Sequence, residues 1–208
     1  MAVLEEISTQ LQAGKVKDVK ALVQQALDEG IQARDILEKG LLAGMDVVGE
    51  KFKNNEVFVP EVLIAARCMN KGTEILRPFL VKDGVEGKGT VVIGTVSGDL
   101  HDIGKNLVRM MMEGKGLKVI DLGVDVTPAA FIQAAKENDA DIIGLSALLT
   151  TTMPEMKNVV DAVKKEGLRC KVMVGGAPVT AEFAKEIGAD FYSEDATSAA
   201  EGAVAIIG

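Results

Sequence analysis

Thr90-Val91-Val92-Ile93-Gly94-Thr95-Val96, followed at once by Ser97-Gly98-Asp99-Leu100-His101-Asp102-Ile103-Gly104, decides how this chain is read. The first seven residues are an apolar, β-branched run with the length of a strand buried on both faces. A helix-like segment opens at about Gly104, so the residues between form a strand-to-helix turn. In an open α/β sheet such turns line the edge where ligands bind. His101 is the only histidine in the chain. An imidazole on that edge, with Asp99 two residues before it, has the makings of a metal ligand whose second nitrogen is held by a carboxylate. A lone histidine is more often a surface residue or a satisfied core residue. The D-x-H-x-x-G spacing alone does not separate these readings.

Downstream of this turn, apolar runs and helical segments alternate. Strand-like runs cover 91–96, 118–122, 141–146, 171–174 and, more weakly, 190–192. Helical segments cover 104–115, 127–138, 152–166 and 180–187, and one more closes the chain. This alternation predicts an α/β fold: a flavodoxin-like, doubly wound domain on a five-stranded parallel sheet, spanning residues 90–208. The architecture carries many functions and names none of them.

Upstream, residues 1–82 keep a helical period throughout. Leu4, Ile7 and Leu11 mark a short first helix. Val16, Val19, Leu22, Val23, Ala26 and Leu27 mark a second, which Gly30 is placed to end. Ile36, Leu37, Leu41, Met45, Val48 and Phe52 form a longer stripe, and Pro60 suits the first turn of a fourth helix. Four helices on short loops predict an N-terminal four-helix bundle. Residues 83–89, rich in glycine and charge, read as a linker between the two domains.

Composition narrows the classes. The chain has 208 residues, 48% apolar and 26% charged, with no Trp and one Tyr, so its cores must be aliphatic. A net charge of −8 speaks against a nucleic-acid partner, which needs a basic face. Cys68 and Cys170 lack metal-ligand spacing and read as buried thiols. The first residues carry no basic, signal-like stretch, and no apolar run reaches the length of a membrane span. The expectation is a cytoplasmic protein with no membrane partner.

Three motifs fall at the ends of expected strands: Asp99-x-His101-x-x-Gly104 after the first, Ser146-Ala147-Leu148 after the third, and Gly175-Gly176 after the fourth. All three would open on one edge of the sheet. Singly each is weak, since a serine satisfies backbone groups and paired glycines make turns. In this order the set resembles the cobalamin-binding domain signature. The whole chain, bundle included, resembles the corrinoid methyl-carrier proteins of methyltransferase systems, and is similar to the cap and cobalamin-binding modules of cobalamin-dependent methionine synthase.

That resemblance implies a cofactor, cobalamin or a related corrinoid, carrying its methyl group as methylcobalamin. It implies base-off binding, with the nucleotide tail in a slot beside the sheet and His101 ligating cobalt. Asp99 then holds the other ring nitrogen. Thr152 stands where the methionine synthase module has a serine completing a proton relay with these two. Asp102, Ile103 and Gly104 fall beside the corrin. Ser146, Leu148 and Thr150 line the slot, and Gly175 and Gly176 let the tail approach the backbone. Phe52, Val59 and Val62 fall on cap positions that cover the reactive face, with Val59 in place of a leucine. By periodicity alone these three are ordinary bundle core.

The resemblance further implies a carrier subunit rather than an enzyme acting alone. A substrate-specific methyltransferase, of the methanol, methylamine, methoxyaromatic or betaine type, would load it. A second methyltransferase, acting on tetrahydrofolate or coenzyme M, would unload it, and a reductive activase would restore the cobalt. The alternative is the cobalamin-binding small subunit of an adenosylcobalamin-dependent mutase, which shares the three motifs but does not need the bundle.

Overall fold

A computed structural model describes residues 2–82 and 88–208, with the side chains of residues 81 and 82 left aside. The expected linker at 83–89 falls largely outside the described residues. The chain divides into an N-terminal helical unit and a C-terminal α/β unit, each described here by itself.

The helical unit is built from α1 (Ala2–Gln12), α2 (Val16–Asp28), a third helical stretch and α5 (Val59–Lys82). Ile7, Leu11, Val19, Val23, Ala26, Ile36 and Leu41 are all buried, as their helical spacing requires. The third stretch differs from the single amphipathic helix that its period suggests. It begins as α3 (Ala33–Asp35), widens into a π-helical segment over Ile36–Leu42, and resumes as α4 (Ala43–Lys53). The wider turn shifts the stripe by a residue, so that Ile36, Gly40, Leu41 and Leu42 all lie buried. Such segments depend on tertiary packing, because the π-helical hydrogen bond is poor on its own. Pro60 enters α5 in its first turn, where its missing N–H costs nothing. The helix then runs past Leu76 and through Pro78 to Lys82.

The α/β unit carries five parallel strands: β1 (Thr90–Thr95), β2 (Lys118–Asp121), β3 (Ile142–Ser146), β4 (Lys171–Gly175) and β5 (Phe191–Tyr192). Their order, β2-β1-β3-β4-β5, is the flavodoxin-like arrangement. The helices between them are α6 (Ile103–Gly114), α7 (Pro128–Glu137), α8 (Met153–Lys165) and α9 (Ala181–Ile187), and α10 (Ala196–Ile207) closes the chain. Local chemistry sets several starts. Thr127, Thr180 and Asp195 each accept a backbone N–H from the first turn of the helix that follows, replacing a partner the helix cannot supply. Val92, Ile143, Leu145, Val172 and Val174 form a core with Phe131, Met156, Val159 and Val160.

Register places the functional edge. Thr95 at the end of β1 pairs with Ser146 at the end of β3, and Ser146 pairs with Gly175 at the end of β4. The three motifs therefore rise from one row of the sheet. The chain winds in opposite directions from β1 and β3, so the first two motifs flank the topological switch point, where open α/β sheets bind ligands.

Candidate functional site

Asp99 organises the site. It is fully buried, yet its carboxylate is saturated with donors. Oδ1 accepts from His101 Nδ1 at 2.7 Å and from the His101 amide at 3.1 Å. Oδ2 accepts from the amides of Leu148 at 2.8 Å and Leu149 at 3.2 Å, and lies 2.9 Å from the Thr152 hydroxyl. That hydroxyl has one proton and a second acceptor, the Leu149 carbonyl, at 2.9 Å. Burial by itself raises the Asp99 pKa. The Leu148 amide, the His101 ring and amide and the Thr152 hydroxyl outweigh it and hold the carboxyl well below the usual aspartate range. The group is an anion at any physiological pH.

An anionic acceptor on Nδ1 makes that nitrogen the donor, so Nε2 is the ring atom left to meet a ligand. The imidazole is 51% exposed, and Nε2 has no protein partner among the described residues. In the same two turns Leu100 and Ile103 are 72% and 78% exposed, and Leu148 and Leu149 are also exposed. A half-exposed imidazole on turns that also expose four aliphatic side chains is a surface prepared for an apolar-edged group. No cluster of three metal-binding side chains occurs among the described residues. A single imidazole is too small a ligand set for a bare ion, but it suffices as the axial ligand of a metal already held in a macrocycle.

The other expected residues divide. Asp102, Ile103 and Gly104 are all exposed at the start of α6. A Cβ on Gly104 would meet nothing within 4 Å, so the fold places no demand for glycine there. Gly175 is similar, with only the Ser193 carbonyl at ordinary contact distance from such a Cβ. Gly176 is different. Its φ is +136°, and a Cβ would overlap the Ala147 carbonyl oxygen, so the passage of the β4 turn across the end of β3 already demands this glycine. Ser146 is half-buried, Thr150 is exposed and Thr152 is buried. In the helical unit Val62 is fully buried, whereas Phe52 and Val59 are half-buried.

Several residues escape the motif reading. The main-chain amides of Leu148 and Leu149 serve Asp99, a role no side-chain pattern reveals. Lys105 is a charged residue with its side chain only 1% exposed; its ammonium meets Asp121 at the end of β2 at 2.6 and 2.8 Å. Burial pushes the Asp121 pKa up, but the Lys105 ammonium, the Gly123 amide and the charge of Arg109 bring it below the ordinary value. A lysine at the start of an otherwise amphipathic helix looks like a solvated residue in sequence. Thr95, a buried threonine in an aliphatic strand, donates its hydroxyl to the His101 carbonyl at 2.8 Å.

Residues 89–201 match the B12 binding domain family, and residues 3–77 match a second family of the same description. The chain belongs to the B12-binding domain family. It is 46% identical over 200 residues to the dimethylamine corrinoid protein of Methanosarcina barkeri, covering 94% of this chain and 93% of that one. It is 47% identical over 180 residues to trimethylamine corrinoid protein 1 of Methanosarcina acetivorans, covering 85% and 83%. Among solved structures, the methanol:cobalamin methyltransferase complex MtaBC of Methanosarcina barkeri contains a chain matching with a TM-score of 0.90. There the identity is 31%, over 99% of this chain and 80% of that one. This B12-binding protein thus stands with the corrinoid proteins of methyltransferase systems, and its cofactor is cobalamin or a related corrinoid. Its buried carboxylate, outward Nε2, exposed aliphatic side chains and sterically open Gly104 fit that group. No helix among the described residues is long and apolar enough to cross a membrane.

Proposed function

We propose that this B12-binding protein is a methyl carrier, loaded by a substrate-specific methyltransferase and unloaded by a second methyltransferase acting on tetrahydrofolate or coenzyme M. The observation that carries the reading is the geometry at His101, with Nδ1 tied to a buried anion and Nε2 left open among exposed aliphatic side chains. When bound, a corrinoid supplies a cobalt that accepts a methyl group and gives it up to a nucleophile. His101 would hold that cobalt through Nε2. Gly104, Gly175, Ser146, Leu148 and Thr150 would border the cofactor, and Asp102 and Ile103 would lie at the rim. By the resemblance, Phe52, Val59 and Val62 are the cap residues of this reading; within the helical unit Phe52 and Val59 are half-buried and Val62 is fully buried.

The protein's own share of the chemistry is control of a proton. Asp99 is an anion throughout, so Nδ1 keeps its proton and the ring presents a lone pair on Nε2. Thr152 supports Asp99 from the side opposite His101. The methylamine and methanol systems of the relatives make an amine or alcohol methyltransferase the first partner to seek. A reductive activase would complete the set.

The test is reconstitution of the full chain with hydroxocobalamin, followed by desalting, for the wild type and His101→Ala. The wild type should retain the corrin spectrum with an axial histidine, and the variant should lose that ligation. Enzymatic methylation of the reduced holoprotein by a methylamine or methanol methyltransferase should then follow. Function with the adenosyl form alone would instead support the mutase reading.

A further inference from the structure

The loop that carries His101 is not held by packing. Val96 is the last residue before the loop that the core buries; beyond it Leu100 points outward, as does Ile103 at the loop's far end, so the segment 97–101 contributes almost no apolar burial of its own. Polar bonds hold it instead. Thr95 lies at the end of β1, fully buried, and its backbone is committed on both sides: its amide donates to Gly123 and its carbonyl accepts from Val126. From that fixed point its hydroxyl donates to the His101 carbonyl at 2.8 Å. On the opposite flank the Asp125 amide donates to the Asp99 carbonyl at 3.0 Å. The Asp125 carboxylate accepts from the Gly98 amide at 2.7 Å and from the Ser97 hydroxyl at 3.3 Å. Asp125 makes these contacts from a left-handed backbone conformation, φ 54°, which an aspartate tolerates at some cost when its surroundings hold it there.

We infer that Thr95 and Asp125 are positioning residues for the axial ligand: together they clamp the backbone on both sides of Asp99–His101 and so fix where Nε2 presents its lone pair. The inference rests on the proposed ligation by His101. Asp99 orients the ring about its own bonds, but only the backbone sets where the ring stands. A metal–nitrogen bond is sensitive to displacements of a fraction of an ångström. The clamp therefore contributes to axial bond strength without touching the cofactor.

The experiment uses the full chain loaded with hydroxocobalamin and reduced to the Co(II) state. Electron paramagnetic resonance then reports an axial nitrogen by its superhyperfine splitting. Isotope-labelled histidine identifies that nitrogen unambiguously, because the chain has only one histidine. Thr95→Val keeps the shape of the buried side chain and removes the donor. Its ratio of histidine-ligated to unligated cobalt should fall roughly fivefold, the factor corresponding to one hydrogen bond of about 1 kcal/mol. Thr95→Ser should restore it. Asp125→Ala, at an exposed position, should lower the ratio as well and tests the clamp even if Thr95→Val folds poorly. In the cofactor-free protein both variants should speed amide hydrogen exchange at residues 97–101 while leaving α8 unchanged. A wild-type ratio in both Thr95→Val and Asp125→Ala overturns the inference, as does a loss in Thr95→Val that Thr95→Ser fails to restore. A wild type whose axial nitrogen ignores the histidine label overturns the proposed ligation itself, and the clamp's role with it.

Discussion

The turns after β1 and β4 both carry motif glycines, and they use them for opposite purposes. At Gly176 a side chain would collide with the Ala147 carbonyl, and φ is +136°. The fold needs that glycine whether or not a ligand ever binds. At Gly104 the backbone is ordinary and the space beyond is open, so the fold does not require the residue, and the proposed cofactor site would. The same contrast runs through the polar groups. In the β1 turn a buried, saturated carboxylate holds a half-exposed imidazole, and aliphatic side chains face away from the core. In the β4 turn the main business is closing one strand end over another. A signature motif thus mixes residues that build the sheet edge with residues that serve what sits on it, and stability measurements separate the two.

The largest effect should come from Gly176→Ala. Backbone strain alone costs about 1–3 kcal/mol, and relieving the overlap with Ala147 adds to it. A loss near 3 kcal/mol corresponds to a melting temperature lower by roughly 6–12 °C for a chain of this size. An unchanged melt of the cofactor-free protein would break the contrast. Asp99→Asn comes next. It sets an amide N–H₂ against several donors and removes an anionic acceptor, at about 2–3 kcal/mol. The sign of its pH dependence follows from the lowered native pKa. Such a group contributes stability fully above its unfolded value, near 3.9, and loses that contribution as pH falls toward the native value. Denaturant unfolding of wild type and variant should therefore differ by a constant amount above about pH 5 and converge in stronger acid. A gap that widens in acid would refute the anionic assignment.

Thr152→Val removes one hydroxyl from the same network and should cost about 1 kcal/mol, with Thr152→Ser recovering it. A Ser variant no better than Val would mean that the methyl group, not the hydroxyl, matters there. The smallest stability effect belongs to Gly104→Ala. Near the start of α6, alanine should leave the cofactor-free protein as stable as before or up to about 1 kcal/mol more so. Yet hydroxocobalamin retention should fall, by roughly tenfold if the new methyl costs the bound cofactor about 1.4 kcal/mol. A variant that is stabilised and retains the cofactor fully would remove the reason for calling Gly104 a ligand-facing residue.

Much of this was legible in the chain. The aliphatic runs located all five strands, because a parallel strand buried on both faces must be continuously apolar. The helices of the α/β unit followed from their alternation with those runs, at the length a βαβ crossover needs. Asp99, His101 and Gly104 stood out because a lone histidine beside a carboxylate at a strand end is an uncommon combination. What escaped detection was of two kinds. The π segment at Ile36–Leu42 is invisible to a periodicity that assumes one pitch, since only packing against neighbouring helices selects the wider turn. Lys105 and Thr95 looked like a solvated lysine and a strand filler. Their partners, Asp121 and the His101 carbonyl, come into reach only through folding.

Sequence by itself therefore determined which stretches are helix and which are strand, with the π-helical turns at Ile36–Leu42 excepted, and the residue types that meet at the sheet edge, because periodicity and turn chemistry are local. Tertiary structure alone decided that Thr95, Ser146 and Gly175 share one row. It also decided that amides from the β3 turn converge on a carboxylate from the β1 turn, and that of two motif glycines the fold requires one, Gly176, and not the other, Gly104. These depend on strand register and on distances between residues some fifty positions apart in the chain, which no local pattern encodes.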